Sequence, residues 1–494
     1  MPRQTIGLLV GFALFFLLLL LPVPNGLSPE AMRAGAVTLL MATWWMTEAI
    51  PISATALVPL ALFPLLNVID AKTVAANYGH NYVLMLLAGF FIAKAIEQHG
   101  LHRRIALAII QRIGTSRRRL ILSFMVATAF LSMWIANVAV TLLMLPIGLA
   151  VIAREESETQ EQDAFGLALM LAIAYAASIG GTGTLIGTPP NMVFAGMVKS
   201  LYPSAPEISF FNWMVIGIPL VCIFLPITWF YLVKYHKIEG SFVGSGDVIQ
   251  KEIKSLGTMS KAEKRVFIIF VLTALGWVFR NGFTIDQMVI PGWAGLLGID
   301  DMVHDATVAV VAALAMFLIP SGEDQKRLLD WKSAESVPWG VPLIVGGGYA
   351  IAKGFSETGL ATWIGNELSF ISVLPIFLIL LLVVLFMTFI TEVNSNTATA
   401  NIFLPVLATM AIAGQSHPFL LMIPGTFACS CAFMLPSGTG PNAVIFGSGR
   451  VTIPQMSRTG LWLNFISVVV VTLAMYLIAI PVFGITSGVP IWAK

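Results

Sequence analysis

Four short stretches rich in serine, threonine, asparagine and glycine interrupt a chain that is otherwise overwhelmingly apolar. They are Ser132-Met-Trp-Ile-Ala136-Asn137-Val138, Gly180-Gly-Thr182-Gly-Thr184-Leu-Ile-Gly187-Thr188-Pro-Pro-Asn191, Thr391-Glu392-Val393-Asn394-Ser395-Asn396-Thr397 and Pro436-Ser437-Gly438-Thr439-Gly440-Pro441-Asn442. Glycine and proline free backbone carbonyls from the helical ladder, and a broken helix presents N-terminal amides. Carbonyls together with Asn, Ser and Thr oxygens suit a hard monovalent cation. Amide N–H groups and hydroxyl donors suit a carboxylate or similar oxyanion. One set of loops can therefore hold a cation and an anion side by side, each neutralising the other away from bulk water.

The elements that must position such loops are membrane helices. The 494 residues are 57% hydrophobic and 11% charged, with a mean hydropathy of +0.89. A soluble domain carries about 25% charged residues, so this chain lacks the polar side chains to cover a soluble surface. Apolar runs long enough for about 30 Å of hydrocarbon recur from end to end, and the short alternating segments of a β-barrel are missing. The fold class is an all-α polytopic membrane protein. A net charge of +2 without a basic, aromatic-interleaved stripe points away from nucleic acid. Cys222, Cys429 and Cys431 lie in apolar runs and read as small core residues. The first run, Ile6 to Pro22, ends in a poor cleavage site and reads as a first helix, not a signal peptide.

Helices are expected near 5–23, 31–50, 52–67, 81–108, 209–233, 264–281, 304–320, 340–357 and 460–484, with two interrupted helices beginning near 165 and 417. The apolar segments 120–152 and 372–413 are too long for one crossing and are broken midway by small polar residues. Each reads as a re-entrant helical hairpin, which makes about 11 transmembrane helices plus two hairpins. Basic residues cluster at His102 to Arg119, at Lys234, Lys237, Lys251, Lys254, Lys261, Lys264 and Arg265, and at Lys326, Arg327 and Lys332. With the first hairpin re-entrant, all three clusters and the acidic run Glu155 to Asp163 fall on one side, the cytoplasmic one by the positive-inside rule.

The chain is a duplication. Gly89-Phe-Phe-Ile92-Ala93-Lys94 recurs as Gly348-Tyr-Ala-Ile351-Ala352-Lys353, an offset of 348 − 89 = 259, and Asn137 and Asn396 share that offset. Gly187-Thr188-Pro189-Pro190-Asn191 pairs with Gly438-Thr439-Gly440-Pro441-Asn442 at offset 251. The expected layout is an N-terminal helix at 1–30, a first repeat at 31–240 with its broken helix at 165–198, a cytoplasmic linker at 241–263, and a second repeat at 264–494 with its broken helix at 417–449. Scaffold helices would run to about 115 and about 360 in the two repeats. An odd number of crossings separates the copies, so they are inverted. Inverted repeats with discontinuous helices are the architecture of secondary transporters, with the site where the breaks meet near the midplane.

Other polar residues read less sharply. Glu392 is the most deeply placed acid, either a proton carrier or a structural carboxylate bonded to hairpin backbone amides. Lys94 and Lys353 read as snorkelling side chains near helix ends, not ligands, and Glu48 as a helix-end residue. No Ser/His/Asp set, metal-ligand spacing or nucleotide loop is visible, so the chain does not read as an enzyme. A channel would need a continuous polar-lined pore.

At Thr-Glu-x-x-Ser-Asn-Thr-Ala-Thr-Ala (391–400), Gly-Thr-Pro-Pro-Asn (187–191) and the run to Phe446-Gly-Ser-Gly449, the chain resembles the divalent anion/sodium symporter family, the INDY-type bacterial dicarboxylate transporters. The resemblance implies a homodimer in the cell membrane. Each subunit would hold a scaffold and an elevator-like transport domain made of the two hairpins and two broken helices. It implies a first sodium site at Ser132, Asn137 and Gly187 with the backbone of Ala136. A second would lie at Thr391, Asn396 and Gly438 with the backbone of Asn394. Substrate carboxylates would meet Asn137 on one side and Ser395, Asn396 and Thr397 on the other, with Thr188 and Thr439 nearby. The expected function is sodium-coupled symport of a C4-dicarboxylate such as succinate, fumarate or malate. The alternative is a sodium-independent dicarboxylate exchanger, or a carrier of another anion on the same fold.

Three positions depart from the family pattern. The first tip is Ala136-Asn137-Val138 where Ser-Asn-Thr is usual, and Gly440 replaces an expected proline. A hydrogen bond to a charged group is worth about 1.5–3 kcal/mol, so the missing hydroxyls bear directly on how one carboxylate is held.

Overall fold

The computed structural model describes residues 2–113, 116–159, 164–240, 245–285, 288–322, 326–368, 374–485 and 488–493. The end of the acidic run (160–163), the start of the linker (241–244) and positions 372–373 lie outside the described residues.

The first repeat is preceded by α1 (Arg3–Leu20), which packs on α2 (Pro29–Thr47). Ser28 caps α2 by accepting from Ala31 N, and Glu48 ends it in the left-handed conformation at φ 51°, the helix-end role read from the sequence. The expected helix at 52–67 is split into α3 (Ile52–Thr55) and α4 (Val58–Leu65), and α5 (Ala71–Tyr78) follows. The expected helix at 81–108 is also two: α6 (Asn81–Gln98) and α7 (Leu101–Ile113), separated at Gly100 with φ 71°. The tips and breaks follow: α8 (Arg117–Ser132), α9 (Asn137–Thr159), α10 (Ala164–Gly181) and α11 (Pro189–Leu201). α12 (Phe210–Tyr235) then runs for 26 residues, about 39 Å at 1.5 Å per residue.

The linker is not simply a polar loop. It carries α13 (Ser245–Leu256), whose Ile249, Ile253 and Leu256 recur at helical spacing and whose face packs on α7 and α9. α14 (Lys261–Val278) opens with a reciprocal Ser260–Glu263 capping box. A two-stranded antiparallel hairpin, β1 (Phe283–Ile285) and β2 (Met288–Ile290), precedes α15 (Trp293–Leu296), α16 (Asp305–Leu318) and α17 (Trp331–Ala334). The second repeat continues with α18 (Gly340–Thr358), α19 (Leu360–Glu367), α20 (Ile376–Ile390), α21 (Asn396–Ala413), α22 (Phe419–Ala428) and α23 (Gly440–Gly447). α24 (Ile453–Ala474) passes through a π-turn at Met475–Ala479 into α25 (Ile480–Val482).

Among the described residues, seven helices are long and apolar enough to cross a membrane. Large apolar side chains face outward on them, among them Leu9, Phe16, Phe230 and Val469, each more than half exposed. Such a surface fits hydrocarbon, not water.

The two ends of α12 define two polar faces. At one, Phe210 N donates to the carboxylate of Asp305, which also takes Arg280 Nε at 2.6 Å, and Arg280 pairs with Glu207. At the other, all three basic clusters gather: Arg104 on Glu263, Arg118 on the carbonyl of Ile238, and Arg265 on that of Pro320. Arg117, at the start of α8, donates from Nε to Glu155 near the end of α9 at 2.6 Å. Both arms of the first hairpin therefore begin and end on the basic face. α20 and α21 open the other way. Gly365 on α19 packs against Thr409 and Ala413 of α21, and Phe377 of α20 meets Tyr476. α6 ends beside Leu328 on the basic face, whereas its repeat equivalent α18 ends with Ser356 beside Leu201 on the opposite face. The two helices, equivalent by the repeat offset, thus end on opposite faces.

Of the cysteines, Cys429 and Cys431 are buried as expected, but Cys222 is exposed on α12. An apolar run in a membrane protein does not distinguish a core-facing position from a lipid-facing one.

Candidate functional site

Each hairpin turns over a cluster of neutral oxygens. In the first, Ser132 Oγ lies 2.7 Å from Asn137 Oδ1 and 2.8 Å from the carbonyl oxygen of Ala177 on α10. In the second, Thr391 Oγ1 lies 2.7 Å from Asn396 Oδ1 and 2.9 Å from the carbonyl oxygen of Cys429. Each hydroxyl has one hydrogen, which it can direct to only one of its two oxygen neighbours at a time. Three oxygens share a single proton in each cluster, and the surplus lone pairs suit a cation. Ser132 and Thr391 are fully buried.

Gly187 and Gly438 bring further oxygens in. A Cβ on Gly187 would collide with the carbonyl oxygen of Gly181 and crowd that of Ser132, and one on Gly438 would press on the carboxylate of Glu392. At Gly187, against fixed backbone, the approach requires glycine. Asn137 itself rests on Gly181, where a side chain would strike its amide. Because Oδ1 of Asn137 and of Asn396 faces the cluster, each Nδ2 is the end left as a donor. The Ala136 carbonyl accepts from Val140 N, and Asn394 Oδ1 accepts from Ser395 N. Asn394 Nδ2 is buried without a partner, a donor whose desolvation is uncompensated.

Thr188 and Thr439 are the N-cap residues of α11 and α23, yet neither hydroxyl caps its own helix, and the same holds for Ser395 at the start of α21. All three lie at half-helix starts, where backbone dipoles favour negative charge. Thr397 is buried in the first turn of α21, with Ser395 and Asn396 half-exposed. The four breaks converge through both repeats. α23 packs on α9 and α10, α11 packs on α21, and Tyr175 of α10 donates to the carbonyl of Phe433 at 2.9 Å.

Two asparagines that the sequence reading paired but gave no role hold the breaks open. Asn191 Nδ2 donates to the carbonyls of Gly181 and Thr184, and Asn442 Nδ2 to those of Ala432 and Leu435. Partners and donor share the repeat offset of 251. Their matched place in the two glycine-proline loops was the signal available for finding them.

Glu392 has a structural carboxylate's surroundings, but its partners differ from those expected. Its oxygens accept from the amides of Phe433, Met434 and Leu435 at 2.6, 2.9 and 3.0 Å and from Asn464 Nδ2 at 2.8 Å. The amides belong to the unwound link between α22 and α23, not to the hairpin. Four N–H donors complement a negative charge. Lys94 and Lys353 pair with Glu97 and Glu357 one turn on, at 3.1 and 2.7 Å, away from the breaks. No group of three or more His, Cys, Asp or Glu side chains able to hold a metal occurs among the described residues.

Residues 3–485 match the family described as the sodium:sulfate symporter transmembrane region. The chain is 43% identical to the sodium-dependent dicarboxylate transporter SdcS of Staphylococcus saprophyticus, over 99% of this chain and 94% of that one. SdcS of Staphylococcus aureus is 42% identical over the same shares. Among solved structures, Neisseria gonorrhoeae MtrF, described within a class of antimetabolite efflux pumps, superposes with a TM-score of 0.59 at 11% identity, covering 98% and 97% of the two chains. The Alcanivorax borkumensis YdaH transporter gives 0.57 at 15% identity over 91% and 98%. These two likenesses concern the all-helical, multi-span fold alone. Matched along nearly its whole length, the chain belongs to the sodium:sulfate symporter family and is a multi-pass membrane transporter, not an enzyme.

Proposed function

We propose that this transporter carries a C4-dicarboxylate (succinate, fumarate or malate) across the cell membrane together with sodium. The observation that carries the reading is the pair of buried clusters, each with three neutral oxygens and one shared proton, at Ser132–Asn137–Ala177 and Thr391–Asn396–Cys429. Sodium in each cluster would fix an Asn side chain with its amide donor turned outward. The substrate carboxylates would then be met by Asn137 on one side and by Ser395, Asn396 and Thr397 on the other, with Thr188 and Thr439 beside them. Cation and anion each lower the cost of placing the other in a water-poor site. The 43% identity to a sodium-dependent dicarboxylate transporter supports the same pairing.

In this reading the fold has about 11 transmembrane helices and two re-entrant hairpins. The hairpins and broken helices form a transport domain that moves against a scaffold in an elevator manner, within a homodimer. The opposite openings of the two hairpins support alternating exposure of one site to the two faces.

Radiolabelled succinate uptake into proteoliposomes, with an inward sodium gradient against choline, tests the reading. Accumulation in empty vesicles only with sodium is the expected result. Uptake confined to vesicles preloaded with succinate, regardless of sodium, would make the protein an exchanger instead.

A further inference from the structure

On the basic face, the start of the first hairpin and the end of α12 enclose a cavity of about 440 Å³ that the transport site does not use. It is lined by Arg118, Trp229, Phe230, Val233, Lys234, Lys237 and Glu239. Three cations face one anion there. Glu239 is 3.7 Å from Arg118, with both side chains more than half exposed, so the pair is weak and leaves the pocket positive. Its frame is firm. Arg118 Nε donates to the carbonyl of Ile238 at 2.7 Å, and Trp229 Nε1 to the carbonyl of Arg118 at 2.9 Å. Lys234 Nζ stands 5.8 Å above the Phe230 ring, and Lys237 sits in the left-handed conformation at φ 51°, where the chain turns back from α12.

The surface leading to this pocket identifies what fits it. Ile223, Ile227 and Phe230 are 47%, 37% and 60% exposed. They recur at i, i+4 and i+7 on α12, one outward stripe that rises through the hydrocarbon and ends at Lys234, four residues on. An apolar stripe that ends in clustered basic side chains and a tryptophan at the membrane boundary matches a lipid, with its acyl chain below and its phosphate above. Basic pockets between helices on the cytoplasmic side recognise anionic headgroups in this way.

We propose that this pocket binds the phosphate of an anionic phospholipid from the leaflet on the basic face, with acyl chains along Ile223, Ile227 and Phe230. A lipid held there touches both α8 and α12, and so tethers the mouth of the first hairpin to its neighbour. A free inorganic phosphate would share the headgroup chemistry but gain nothing from the stripe.

Native mass spectrometry of the detergent-purified full chain, titrated with phosphatidylglycerol, phosphatidylcholine or inorganic phosphate, distinguishes these. Phosphatidylglycerol retained at one per chain in preference to phosphatidylcholine, and not displaced by equimolar phosphate, is the expected result. Lys234→Gln with Lys237→Gln should weaken phosphatidylglycerol by at least about tenfold, while Lys234→Arg with Lys237→Arg should keep it. Melting temperatures of the variants would establish that each is folded. Equal retention of the two lipids, displacement by phosphate, or undiminished binding to the folded glutamine variant would each overturn the proposal.

Discussion

The Cγ2 of Val138 occupies the space in which a Cβ on Gly440 would stand, so the first hairpin tip meets the start of α23 across a residue without a side chain. Both positions break the internal symmetry of the chain. Val138 is the repeat equivalent of Thr397, and Gly440 that of Pro189. The departures touch one another beside Asn137 and Thr439. Gly440 also brings an amide N–H to a helix start where Pro189 has none.

Gly440→Ala should therefore disable uptake by forcing the tip away from α23, a cost of about 1–3 kcal/mol for overpacking. Adding Val138→Ala removes the obstructing methyl and should restore most of the uptake. Succinate uptake by the single and double variants checks this. Equal losses in both would mean that the contact is incidental.

Val138→Thr returns a hydroxyl to the first tip. One added hydrogen bond to a carboxylate is worth about 1.5–3 kcal/mol, so the KM for succinate should fall by roughly tenfold or more. An unchanged KM would place the substrate away from this end of the tip.

Ser132→Ala and Thr391→Val each remove one oxygen from a three-oxygen cluster. The KM for sodium should rise by about tenfold in each, with the larger part of the activity recovered at saturating sodium. Uptake measured against sodium concentration separates this from a loss of folded protein, which added sodium would not repair.

Glu392→Gln exchanges a charged acceptor of four N–H bonds for a neutral one. Bonds to a charged group are worth about 1.5–3 kcal/mol each, so the link from Phe433 to Leu435 should loosen, with a lower melting temperature and slower uptake. The shape of the pH profile should stay as it is, because the carboxylate is a strut and not a proton carrier. Abolished pH dependence would reverse that assignment.

Much of this arrangement was legible in the sequence because it follows from periodicity and charge. The repeat offsets, the polar tips at Asn137 and Asn396 and the gathering of three basic clusters on one face are all written locally. Contacts between distant segments were not. Nothing near Glu392 says that its partners are the amides of 433–435, since backbone donors carry no residue signature. Val138 and Gly440 are 302 residues apart, and nothing local to either says that they touch. Helix α13 was hidden because three apolar residues among lysines read as a polar loop until α7 supplies a surface for them.

The central claim is that the oxygen clusters link sodium to the anion, and equilibrium binding tests it most directly. Succinate affinity of the purified protein would be measured by calorimetry in sodium and in choline, for the native chain and for Ser132→Ala with Thr391→Val. Binding linkage is reciprocal, so succinate should bind the native chain at least about tenfold more tightly in sodium, and the double variant should lose that difference. Equal succinate affinity in sodium and choline for the native chain would contradict the account.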